Sequence, residues 1–484
     1  MAVMQHESSY TRAISELINQ VEHPLTKYDS LIQDAVNYFA VAEQQQKTMA
    51  EFDAKQQELE GQLNQAANAK RKTLESSLQG LERTAKEEAR VQKEERLERL
   101  DRAIQVCQQI LELSEGNDAE ETLQKSAKYL GTILLMSPGE GNKLPEIHQR
   151  FKPAYKAVLS IRLLDALMQE KLVENKYLLT HYDEAKRFSY DREAPNAFID
   201  TVVYPFMFAA IFQDIGMYHP AAQRILRGPD GDKDPFRLLP AEERKTLLKL
   251  TYQHTMDYLE NGLGMRQYVG NSREERDMFD QQQLKAVTFI KALIKDTLQP
   301  KLGFGEIIKV PQIYTSVVLS TKRDYKASDL PKACLLIEQL AEKGSLNKQV
   351  VNQFVKLMGH FPQGFGVTYI PISDQGFEMD RYEYAIVNCL CPSNPYEPIC
   401  RVVTRNLTYI SSGQTLTIKK PMNLHFPMAR KKLAKVDKEK LQDILRKLMH
   451  EFDMEAVENL IPSFWLPYEY FSDRKNQNLW SKAY

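Results

Sequence analysis

Cysteine is scarce in this chain. Five in 484 residues, Cys107, Cys334, Cys389, Cys391 and Cys400, are too few and too unevenly placed for a disulfide framework. Cys389-Leu390-Cys391 with Cys400 does not make a zinc site either. One residue separates the paired thiols, a fourth ligand is wanting, and the segment alternates like a strand. An excess of one charge sign is also missing: 64 Lys+Arg stand against 65 Asp+Glu. That argues against a polyanion binder steered by bulk charge, and no nucleic acid is expected. Long apolar runs are absent. The most apolar one, Thr201–Phe212, stops far short of the ~20 residues a membrane span needs, so a buried core helix is expected and no membrane span. The start shows no basic segment followed by an apolar stretch and a small-residue cleavage site; with so few cysteines, cytosol is the simplest compartment. Neither the phosphate-cradling Gly-x-x-x-x-Gly-Lys-[Ser/Thr] nor the Gly-x-Ser-x-Gly nucleophile elbow occurs.

Proline is missing from residues 34–114, and only Gly61 and Gly80 interrupt that stretch. What fills it is Gln, Glu, Lys, Ala, Arg and Leu, strong helix formers. Apolar positions recur in threes and fours: Leu59, Leu63, Ala66; Leu74, Leu78, Leu81; Leu97, Leu100, Ile104, Cys107, Leu111. That spacing puts a stripe on a helix. The charged run Thr84–Arg96 is expected to break the seam of a sustained coiled coil. Two alternatives stay open: a stalk for dimerisation or signalling, and a hairpin folding back on its own chain.

The rest is mainly α, with a change of texture after Pro362. Asp118 and Glu121 resemble a helix-start box. Helices are expected over Ala241–Glu260, Gln281–Asp296 and Val350–Gly359. Residues 367–370, 384–390, 399–404 and 416–418 are short, β-branched and bounded by Pro, Gly, Asn or Ser, which predicts a small strand-rich cap. Asp380-Arg381-Tyr382-Glu383 is expected to open a strand. Composition divides the chain into an N-terminal helical segment (1–36), a long-helix or coiled-coil region (37–116), a helical domain (117–370), the cap (371–427) and a C-terminal helical tail (428–484) with an aromatic ending.

The hexapeptide Phe212-Gln213-Asp214-Ile215-Gly216-Met217 follows the apolar run. With Ala210 and Ile211 before it, it is similar to the Ala-x-Leu-His-Asp-Ile-Gly-Lys of the HD-GYP family, bacterial cyclic-di-GMP phosphodiesterases within the HD hydrolases. Further anchors agree in order: Ile225-Leu226, then Leu239-Pro240-Ala241-Glu242-Glu243; His254 ahead of Tyr258 and Gly262; Ile308-Lys309-Val310-Pro311-Gln312-Ile313-Tyr314-Thr315-Ser316. Lys322-Arg323-Asp324-Tyr325 and Leu357-Met358-Gly359-His360-Phe361-Pro362-Gln363-Gly364 through Val367 complete the set. The resemblance covers about Leu172–Val403 and implies an HD-like helical bundle.

It also implies a metal centre, and here the chain departs from the pattern. Gln213 stands for the histidine of the His-Asp pair, Gln312 for a downstream aspartate ligand and Met217 for a phosphate-facing lysine. The family's adjacent histidines are missing: none of His6, His23, His148, His181, His219, His254, His360, His425 and His450 neighbours another in sequence. Metals in such a site polarise the phosphodiester and acidify a bound water, so losing ligands removes both. The remnant ligands are His181, Asp214 and His254. The expectation is a degenerate enzyme, without catalytic residues or cofactor, that works in the cytoplasm as a signalling or interaction module. Its N-terminal helices would join it to a protein partner or to a second copy. The alternative is a divergent phosphodiesterase holding one Fe or Mn on His181, Asp214 and His254. A third option is binding of cyclic-di-GMP without hydrolysis, with Arg224, Arg227, Lys322 or Arg323 pairing the phosphates; Arg323 falls on the family's arginine position.

Overall fold

A computed structural model describes residues 7–66, 68–180, 182–184, 187–188, 198–300, 303–373, 375–436 and 461–481. They are mainly helical, with a small antiparallel sheet toward the C-terminus. The chain forms two compact units, each discontinuous in sequence. The first comprises Met1–Ile18, Gln108–Ala210 and Leu293–Tyr484; the second comprises Asn19–Cys107 and Ile211–Ala292. Among the described residues no helix is long and apolar enough to cross a membrane.

In the first unit the central element is α5 (Leu144–Gln169), buried nearly all round. It packs on α4 (Ala119–Leu135), α11 (Glu306–Val318) and α13 (Lys348–Met358). The start of α4 bears out the expected box. Asp118 Oδ1 accepts from the Glu121 amide at 2.7 Å, and Glu121 Oε2 accepts from the Asn117 amide at 2.8 Å. An orphan donor of the first turn and the amide just before the cap are thus satisfied together. The Arg162 and Arg187 guanidinium groups, almost without exposure, share Glu115 and Asp165: Arg187 Nη2 lies 2.8 Å from Glu115, Arg187 Nε 2.8 Å from Asp165 and Arg162 Nη2 3.0 Å from Asp165. A fourth pair joins Arg162 to Glu115.

The sheet has the strand order β1 (Gly366–Tyr369), β2 (Glu383–Val387), β3 (Ile399–Val402), β6 (Thr415–Thr417), all antiparallel. These strands fall where β-branched residues predict them. Glu383 opens β2 as expected, and its carboxylate has a task beyond the strand. It accepts from the amides of Asn406 at 2.7 Å and Leu407 at 3.2 Å. Those residues form the two-residue turn between β4 (Thr404–Arg405) and β5 (Thr408–Tyr409), both with positive φ, 54° and 56°. The aromatic ending lies on the sheet. Trp465 donates its indole N–H to the Ala385 carbonyl at 3.1 Å and stacks on Tyr384 with ring centroids 4.8 Å apart. The expected helical tail is seen as α14 (Pro427–Val436) and a short helix Tyr468–Ser472; residues 437–460 lie outside the described residues.

The second unit contains α2 (Leu31–Gln65) and most of α3 (Asn68–Ser114). Arg102, late in α3, pairs with Asp34 at 2.8 Å and Asp29 at 3.5 Å, at the start of α2. The two helices therefore run antiparallel, and the hairpin alternative is the one observed. Half-buried positions alternate in threes and fours: Met49, Phe52, Gln56, Leu59 and Leu63 on α2; Leu74, Leu78, Leu81, Ala85 and Glu88 on α3. This is a heptad seam. The same spacing continues into the charged stretch, where Glu88 and Gln92 are half-buried. Gln92 Nε2 donates to Glu88 Oε1 at 3.0 Å.

Candidate functional site

The hexapeptide belongs to the second unit from Ile211 onward. Helix α7 (Tyr204–Phe212) ends at Phe212, and a 3-10 turn, Ile215–Tyr218, leads to α8 (Pro220–Arg227). The turn lies on α9 (Ala241–Asp257). Gly216 explains the closeness: a Cβ there would meet the Thr251 carbonyl oxygen at 2.1 Å and the Thr255 nitrogen at 2.7 Å. Only glycine lets the two backbones approach this far. Thr255 completes the joint. Its Oγ1 accepts from the Gly216 amide at 3.0 Å and donates to the Gln213 carbonyl at 3.4 Å. Gly216 is thus accounted for by packing.

The side chains flanking that joint point to different environments. Gln213 is buried, and its Oε1 has no hydrogen-bond partner among the described residues. Asp214 is exposed. Met217 is half-buried, and its carbonyl accepts from Gln223 Nε2 at 2.9 Å.

His254 has a partner that spacing along the chain does not announce. Its imidazole lies flat against that of His219, centroids 3.4 Å apart and planes 6° from parallel. Phe39 of α2 meets both rings edge-on, at 5.4 Å and 6.1 Å. His219 Nδ1 accepts from the Ala221 amide at 3.1 Å, capping α8, so its proton sits on Nε2. Burial lowers the pKa of both rings, and His254 lowers that of His219 further; Asp257 acts in the opposite direction on each. Asp257 itself accepts from the Tyr38 hydroxyl at 2.9 Å and from Asn261 Nδ2 at 2.8 Å. Imidazole lone pairs lie in the ring plane, so two parallel stacked rings direct them side by side and not toward a common point. Two rings stacked in this way do not offer their lone pairs to a single ion. Among the described residues no three His, Cys, Asp or Glu side chains are grouped as metal ligands.

The remaining candidates are dispersed. His181 lies outside the described residues. Gln312 is half-buried on α11, and Arg323 and Lys322 are exposed in the loop after it; all three belong to the first unit. Arg224 and Arg227 are exposed on α8, where Arg227 Nε donates to Gln223 Oε1 at 2.9 Å. His219 and Phe39 are the residues that the sequence reading left aside. No local signal marks them, because the contact is made between separate elements.

Comparison with models of known protein families, with curated proteins and with solved structures gives no match.

Proposed function

We propose that this chain is an HD-GYP-like helical protein that has lost its metal centre and serves as a signalling or interaction module. The observation that supports it most is the fate of the remnant ligands in the second unit. Gln213 is buried beside an exposed Asp214, and the face of His254 is taken by His219. Histidine in such a site works through a lone pair aimed at the ion; here the His254 ring is stacked on His219, whose Nδ1 lone pair caps α8. The helical hairpin of α2 and α3 supplies an interaction element whose outer faces are exposed and charged, and self-association or a protein partner would use it. Cyclic-di-GMP is the ligand to try first, with Arg323 the residue to change.

The test has three arms on the full chain. Metal content is measured after purification in the presence of Mn²⁺ or Fe²⁺; hydrolysis of cyclic-di-GMP is assayed with each ion; and cyclic-di-GMP is titrated calorimetrically. The expected outcome is no stoichiometric metal and no turnover, with binding heat that weakens in Arg323→Ala. One metal per chain with turnover lost in Asp214→Ala and His254→Ala would establish the rival, a divergent phosphodiesterase using His181, Asp214 and His254. Heat absent up to millimolar ligand would remove cyclic-di-GMP and leave the protein-interaction role.

A further inference from the structure

We propose that Ser137 is a nucleophile and His148 its general base, forming a separate chemical site in the first unit that cleaves short, uncharged acyl esters. Ser137 follows the end of α4, and His148 lies in the early turns of α5. Ser137 Oγ is 2.8 Å from His148 Nε2. Across the ring, His148 Nδ1 is 2.7 Å from the Ser320 carbonyl oxygen. A carbonyl oxygen can only accept, so Nδ1 carries the proton and the neutral ring keeps its lone pair on Nε2. The serine hydroxyl is then the donor. Nucleophile, base and orienting group stand in the order that activated serines use, with a backbone carbonyl where a carboxylate is commoner. The ring is fully buried, and Tyr325 closes on it edge-on at 5.0 Å.

A serine–histidine bond that only filled the core would have no space beside it. Ser137 instead lines a crevice with Leu134, Phe365, Trp465 and Leu466, enclosing ≈ 30 Å³. That is room for about two waters, so an acyl group as short as acetyl is the size to test and a long acyl chain does not fit. The described lining contains no charged side chain, which favours a neutral ester over a phosphate. Gly139, at φ 77°, turns its amide toward Ser137 Oγ at 3.4 Å. That contact orients the hydroxyl oxygen that would attack.

The reaction balances with water as the second reactant. Ser137 Oγ bonds to the ester carbonyl carbon while its proton passes to His148 Nε2. The bond from that carbon to the alcohol oxygen breaks, and the alcohol leaves with the proton. Water then gives a proton to Nε2, and its oxygen attacks the acyl-serine. The carboxylic acid departs, and the proton returns to Ser137 Oγ.

The full chain is incubated with p-nitrophenyl acetate and, separately, with a small fluorophosphonate, and adducts are mapped by peptide mass spectrometry. The expected result is one fluorophosphonate adduct, on the peptide bearing Ser137, and nitrophenolate release that falls at least ~100-fold in Ser137→Ala and in His148→Gln. Circular dichroism establishes that each variant is folded; where His148→Gln fails to fold, Ser137→Ala decides. Folded wild-type protein that gains no adduct on Ser137 at saturating probe overturns the proposal. So does labelling that persists undiminished in folded His148→Gln, since the serine would then react without its base.

Discussion

His219 and His254 stack face to face with centroids 3.4 Å apart, which couples their protonation. A proton on one ring raises the cost of a proton on the other. Burial and this pairing hold His219 below the ordinary imidazole range, against the pull of Asp257 and Glu43. Replacing His254 by Gln is expected to move the His219 midpoint up toward the free value. An NMR pH titration of the His219 ring reads this directly. A midpoint that stays where it was would mean that the stack carries no electrostatic coupling.

The Glu383–turn arrangement makes a second prediction. Both turn residues between β4 and β5 have positive φ, the geometry that favours Asn-Gly in a two-residue hairpin. Asn406 fits it; Leu407 does not, and it is half exposed, with little packing to lose. Leu407→Gly should stabilise the protein by roughly 1 kcal/mol. Glu383→Gln removes the charge that holds the two amides and should destabilise by about 1–2 kcal/mol. Urea denaturation of the two variants against wild type checks both signs.

Features with a local cause were legible in the sequence. The Asp118–Glu121 box, the strands of the cap and helices α9 and α13 follow from capping chemistry and from apolar spacing. Helix α10 (Arg273–Leu298) begins well before the expected Gln281, since its first turns hold Arg, Glu and Asp and show no apolar stripe. The half-buried positions within Thr84–Arg96 are Ala85, Glu88 and Gln92 among others, residue types that read as solvated helix surface in the sequence. The hexapeptide was legible as a joint only in part. The Gly216 joint with α9, and the meeting of His219 with His254, depended on tertiary packing.

The four charges shared by Glu115, Asp165, Arg162 and Arg187 are nearly out of water. Removing one partner strands the others, a cost of about 3–5 kcal/mol. Arg187→Ala should lose stability on that scale by chemical denaturation. Burial works against ionised Glu115, but the Arg187 and Arg162 guanidinium groups outweigh it and bring its carboxyl to about 2. Its folded value is below the unfolded one, so this stability is present above about pH 4.5 and is lost as pH falls toward 2. In Glu115→Gln that component of acid sensitivity should be gone, although the variant is less stable at neutral pH.

Two buried histidines, His148 and His360, and the half-buried His425 add acid sensitivity at higher pH. Burial pushes His148, His360 and His425 down to about 4, aided by Lys152 at the first, Lys420 and His425 at the second, and Arg430 and Lys332 at the third. Each binds a proton more readily unfolded, near pH 6.5, than folded. The unfolded state therefore takes up protons first as pH drops, and stability falls between about pH 6.5 and 4, with each ring contributing on the order of 3 kcal/mol. His360 is the ring to change: it stacks on Tyr396 at 4.1 Å, its nitrogens make no hydrogen bond among the described residues, and the Glu338 carboxylate lies 3.6 Å from Nε2. Replacement by Phe keeps the stack and removes the proton site. His360→Phe should match wild type at pH 7.5 within about 1 kcal/mol and exceed it at pH 5 in a thermal melt. A variant whose loss of stability on acidification equals that of wild type would show that His360 takes no part in it, leaving the effect to His148 and His425.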